Sequence, residues 1–212
     1  MAVMKKMTRD KQIIIAARVM SMVFTPFYLP ILGLVALFFL SYLSQYLPSY
    51  KFFVLAVVYF FTILLPTFLI HLYRRYQGWS LIELGHKERR IVPYMLSILC
   101  YFSCLYIMEK MHIPYFMRSI VASALVIQVV CALINVWWKI STHTAGIGGV
   151  AGALFVFSEL FNFNPVWWFC LVLIVAGVLG TSRMILRQHT LAQVVAGFFV
   201  GFLCASLSMI FL

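Results

Sequence analysis

Ser182-Arg183-Met184-Ile185-Leu186-Arg187-Gln188-His189-Thr190-Leu191-Ala192-Gln193 lies between two apolar runs, 166–181 and 190–212, that read as bilayer crossings. Only 10% of residues are charged, so two arginines and a histidine at one junction stand out. Cationic groups at the rim of a membrane bundle suit a phosphate headgroup, and a histidine among them is placed to attack it. A nucleophilic imidazole must be held while fixed donors bind its target; an arginine and a histidine six positions apart satisfy both needs. The rival reading is an Arg/His pair that anchors a helix end at the membrane surface.

The chain has 212 residues, 65% of them hydrophobic, and a mean hydropathy of +1.04. Soluble domains are nearer 45–50% apolar. The composition therefore predicts an all-α, polytopic transmembrane helical bundle of six to seven spans, an integral membrane protein. The net charge of +11, from 16 Lys and Arg against 5 Asp and Glu, falls in short inter-helix segments. Anionic headgroups or a phosphorylated lipid are the partners it implies, together with membrane lipids, and no nucleic acid. The five cysteines all lie inside apolar runs without metal-ligand spacing and read as small core hydrophobes. Residues 1–22 carry five cations around a short Ile13–Ala17 run and read as a basic, uncleaved interfacial segment. Residues 23–212 then form a single transmembrane domain.

Seven apolar spans are expected, at 23–44, 52–73, 91–108, 116–138, 144–161, 166–181 and 190–212. The fifth is rich in glycine and alanine from Gly146 to Ala153, and the seventh carries Gly197-xxx-Gly201. Small residues let backbones approach closely, so the fifth span is expected in the middle of the bundle. Two crossings separate the segment 87–93 from His143, and two more separate His143 from Arg183. Parity thus sends all three basic, histidine-bearing segments to one face.

The chain resembles the type 2 phosphatidic acid phosphatase family, the lipid phosphatases related to vanadium haloperoxidases. The resemblance is carried by Ser182-Arg183-x(5)-His189, with Gln193 where the family has aspartate. It is also carried by Ile140-Ser141-Thr142-His143, a reduced form of Pro-Ser-Gly-His. Lys87-Glu88-Arg89-Arg90-Ile91-Val92-Pro93 keeps the cations and proline of the remaining motif without its spacing. A bacterial branch of the family departs from the consensus in similar ways, and an inner-membrane location is expected from it. The resemblance covers about residues 85–205.

What the resemblance implies is a metal-independent lipid phosphatase with no cofactor. His189 would be the nucleophile that forms a phosphohistidine, and His143 the acid that protonates the leaving oxygen. Arg183, Lys87 and Arg89 or Arg90 would hold the phosphoryl oxygens; Ser141, Thr142 and Ser182 would line the same cradle. The implied substrates are phosphatidate, phosphatidylglycerol phosphate, undecaprenyl pyrophosphate or a lipid A phosphate. The residues themselves agree, because a phosphate monoester needs fixed cationic donors with little water between. Gln193 has two readings. Thr190-Leu191-Ala192-Gln193 fits a capping box, and the Gln193 oxygen also reaches one His189 ring nitrogen at i,i+4 spacing. A non-catalytic bundle that binds or transports anionic lipid, and a phosphotransferase that passes the phosphoryl group to an alcohol, are the competing functions.

Parity places thirteen of the 16 cations on the N-terminal face and leaves Lys51, Lys110 and Arg118 on the other. The positive-inside rule then makes the N-terminal face cytoplasmic. Bacterial relatives commonly work on the outer face, so charge and resemblance conflict. If one of the first four spans, the short third above all, does not cross, the conflict vanishes.

Overall fold

The computed structural model describes residues 2–40, 45–78 and 91–211, and the described chain is helical. Helix α1 is Ala2–Val23, α2 is Leu29–Leu40, α3 is Pro48–Tyr59 and α4 is Leu65–Gln77. Helices α5 to α9 are Ile91–Lys110, Tyr115–Trp137, Thr142–Phe161, Val166–Ile185 and Leu191–Phe211. A π turn at Phe60–Leu64 joins α3 to α4, so Pro48–Gln77 forms one 30-residue rod. Pro66 explains the turn: proline lacks an N–H and crowds the preceding turn, which a widened π turn relieves. Among the described residues, six helices are long and apolar enough to cross a membrane. Six such crossings make this an integral membrane bundle.

The expected 23–44 span is not one helix. α1 ends at Val23, Thr25 and Pro26 interrupt the chain, and α2 starts afresh at Leu29. The short third span is longer than expected, 19 residues from Val92 to Lys110, or about 28 Å at 1.5 Å per residue. The 166–181 span continues to Ile185, which puts Ser182 and Arg183 inside α8 rather than in the loop after it. Cys100, Cys104 and Cys131 are core residues as expected, but Cys170 is exposed on α8.

Helix α7 is the most enclosed crossing, with 56% of its apolar window buried against 39% for α9. Glycine explains this. A Cβ on Gly148 would collide with the Phe198 carbonyl oxygen, and one on Gly201 would collide with that of Ala145. The backbones of α7 and α9 therefore touch where no side chain fits between. In lipid such contact, rather than exclusion of water, holds helices together.

The direction of α1 differs from expectation. Ser21 meets Arg183 near the ends of α1 and α8. Ile13 and Ile174, each roughly two turns earlier, line one groove between the same helices. The two helices are therefore parallel. The α1 backbone carries Lys5, Lys6, Arg9 and Lys11 toward the end of the bundle opposite the histidines, and the 22-residue helix is about 33 Å long. The parity count, which put these four cations on the histidine face, is corrected accordingly.

Candidate active site

Three helix ends meet at one end of the bundle. The start of α7 is pinned first. Asn135, near the end of α6, accepts the Ile140 N–H at 3.2 Å through Oδ1 and donates from Nδ2 to the Cys131 carbonyl at 2.8 Å and the Tyr94 hydroxyl at 3.3 Å. One amide thus ties α5, α6 and the 138–141 linker together. Ser141 then caps α7: its Oγ accepts the Thr144 N–H at 3.4 Å, while Thr144 Oγ1 donates to the Ser141 carbonyl at 3.1 Å. Capping fixes where the helix begins, and so fixes His143 in its first turn. The Ser141 N–H reaches the Gln193 carbonyl at 3.4 Å, which locks this turn to α9.

The end of α8 is closed by a Schellman motif. Gln188 N–H bonds the Arg183 carbonyl at 3.1 Å and Arg187 N–H bonds that of Met184 at 2.9 Å. Arg187 takes the left-handed conformation, φ 52°, where glycine is usual. The motif satisfies the last carbonyls of α8 and turns the chain sharply into His189 and α9.

At the start of α9 both readings of Gln193 hold at once. Gln193 N–H bonds Thr190 Oγ1 at 3.4 Å, and Gln193 Oε1 accepts the Thr190 N–H at 3.2 Å, which is a capping box. The same Oε1 lies 3.2 Å from His189 Nδ1. A backbone N–H can only donate, so the Gln193 atom facing it is oxygen. That oxygen can only accept, so Nδ1 carries the His189 hydrogen and Nε2 keeps a lone pair.

His143 lies within electrostatic reach of Arg183 and His189, and its ring is in hydrogen-bonding reach of the Ser21 backbone. Its Nδ1 is buried and makes no hydrogen bond. Arg183, half-buried in the last turn of α8, reaches Ser21 Oγ through Nη1. The structure therefore brings His143, Arg183, His189 and Gln193 together. Thr142 opens α7 beside them and is partly exposed. Ser141 is fully buried, with its oxygen on the cap. Ser182 is not drawn into the cluster: its hydroxyl donates to the Val178 carbonyl at 2.7 Å and it lines the groove facing α1. Lys87, Arg89 and Arg90 lie outside the described residues. Ser21 and Asn135 were missed by sequence reasoning. Asn135 had a signal, an amide near the end of an apolar run; Ser21 had none.

Residues 135–212 match the family model for the PAP2 superfamily. Over that stretch the chain is similar to the PAP2 superfamily. The match takes in His143, Arg183, His189 and Gln193, while α1 to α5 fall outside it. No curated protein and no solved structure matches the chain. Members of that superfamily are generally phosphatases, so the likeness suggests phosphatase activity on a lipid-type substrate.

Proposed function

We propose that this protein hydrolyses the phosphomonoester or pyrophosphate of a membrane lipid through a phosphohistidine, without a metal ion. His189 Nε2 attacks phosphorus while Gln193 Oε1 holds Nδ1–H. The P–O bond to the lipid breaks, and the departing oxygen takes a proton from His143. Water then attacks the phosphohistidine and gives a proton to His143; the P–N bond breaks and orthophosphate leaves. Arg183 meets the charge on the phosphoryl oxygens, since a guanidinium forks onto two of them. Lys87 and one of Arg89 or Arg90 complete the cationic set in this reading, and Thr142 lines the opening.

The observation that carries the proposal is the convergence of His143 and Arg183 on a His189 whose tautomer leaves Nε2 nucleophilic. A lipid substrate is supported by a cavity of about 140 Å³ between α2, α6 and α7, lined by Leu29, Gly146, Val150, Ala153 and Phe157 among others. Gly146, Val150, Ala153 and Phe157 continue the stripe of α7 that begins at His143, so an apolar tail has a path down from the phosphate.

The test is orthophosphate release from phosphatidate, phosphatidylglycerol phosphate, undecaprenyl pyrophosphate and a lipid A phosphate in detergent with chelator present. Release from one of them is expected, with His189→Ala and His143→Ala reduced by about 10²-fold or more, the range for positioned proton transfer. Lipid binding without release, unchanged by His189→Ala, would show a non-catalytic bundle. Transfer of phosphate to a second lipid alcohol in place of water would show a phosphotransferase.

A further inference from the structure

We infer that α1, which lies outside the PAP2-matched stretch, is part of the phosphate site, with Ser21 as the positioning residue for Arg183. The inference rests on the proposed phosphatase reading and adds a residue to it. Ser21 is 7% exposed, and it touches two members of the cluster in different ways. Its hydroxyl bonds Nη1 of Arg183, and its backbone meets the His143 ring. One residue at the end of α1 therefore spans the guanidinium on α8 and the imidazole on α7.

The physical need is clear from the arginine. A guanidinium on a long side chain has several rotatable bonds, and holding it in one geometry costs rotamer entropy. A buried hydroxyl on one N–H restricts the fork to one orientation. Ala17, one turn before Ser21, is 4% exposed, and with Ile13 and Met20 it lines a groove against Ile174, Val178 and Ile185 of α8. Thr25 and Pro26 then turn the chain away, so the helix ends where Ser21 is needed. The exposed Arg18 one turn earlier adds charge at the same end.

Ser21→Ala removes the hydroxyl and keeps the backbone, so it isolates the contact with Arg183. Two readouts are measured on the full-length protein in detergent, with thermal stability as control. In turnover, Ser21→Ala is expected to lower kcat about tenfold with KM changed less than twofold, and Ser21→Thr, which keeps a hydroxyl, is expected to restore most of it. In binding, orthovanadate serves as the probe of the phosphoryl site. Ser21→Ala is expected to weaken it at least fivefold, in the direction of Arg183→Ala, with an unchanged melting temperature. An active wild type with Ser21→Ala unchanged in kcat and in orthovanadate affinity overturns the role of Ser21 alone. A loss matched by a lowered melting temperature and not rescued by Ser21→Thr also overturns it, because the effect is then structural. A wild type that neither turns over lipid phosphate nor binds orthovanadate overturns this inference and the phosphatase reading together.

Discussion

Gln193 carries two hydrogen bonds on one oxygen, and that oxygen sets which His189 nitrogen is basic. A neutral amide fixes the tautomer but adds no charge to steady the imidazolium as the ester breaks. Gln193→Glu keeps the reach and supplies that charge. Hydrogen bonds to charged groups contribute roughly 1 kcal/mol more than neutral ones, so kcat is expected to rise about fivefold. Gln193→Ala frees the ring and is expected to lower kcat by about 10²-fold. Steady-state kinetics on both variants checks this; a fall in Gln193→Glu equal to that in Gln193→Ala would contradict the tautomer assignment. At this scale much was legible, because Thr190, Gln193 and His189 are close in sequence and helical spacing relates them. The Ser21 contact was not, since it spans 162 positions and exists only because α1 docks on α8.

Helices α7 and α9 meet through glycine, and the site depends on that contact because Ser141 and Gln193 are bonded across it. Gly201→Ala would drive a Cβ into the Ala145 carbonyl oxygen of α7, a clash that only a helix shift relieves. Overpacking of this kind typically costs about 1–3 kcal/mol or more, so the melting temperature in detergent is expected to fall and activity with it. Gly177, on α8, faces open space, with nothing within 4 Å of where a Cβ would stand. Gly177→Ala is expected to gain roughly 0.5–1 kcal/mol from helix propensity. Equal effects of the two substitutions would contradict the packing. The glycine runs were readable as close-packing faces, but not their partner. Helix ends were less readable: Ser182 and Arg183 look like loop beside an apolar run, yet hydrogen bonds carry α8 through them to the Schellman turn at Arg187.

For the whole molecule, the parallel course of α1 and α8 changes the charge balance. Lys5, Lys6, Arg9, Lys11, Lys51, Lys110 and Arg118 belong to the end opposite the histidines, where Glu109 and Arg118 pair at 4.0 Å. At the histidine end the described cations are Arg18, Arg74, Arg75, Lys139, Arg183 and Arg187, six against seven. The excess on the histidine face is thus gone, and we propose that the opposite end is cytoplasmic and the site faces outward, as the resemblance implies. Gln188→Cys is expected to react with a membrane-impermeant maleimide added to intact cells, and Ser49→Cys only after permeabilisation; the reverse pattern would contradict the orientation. A basic first segment gave no hint of this, because charge alone does not tell an interfacial helix from one docked along a crossing.

The most direct measurement is to quench the purified protein within its first turnover of a lipid carrying labelled phosphate, then map the acid-labile label. Label on His189, retained longer in His143→Ala and missing in His189→Ala, is the expected result. Steady release of orthophosphate with no label on His189, or with release intact in His189→Ala, would contradict nucleophilic attack by that imidazole.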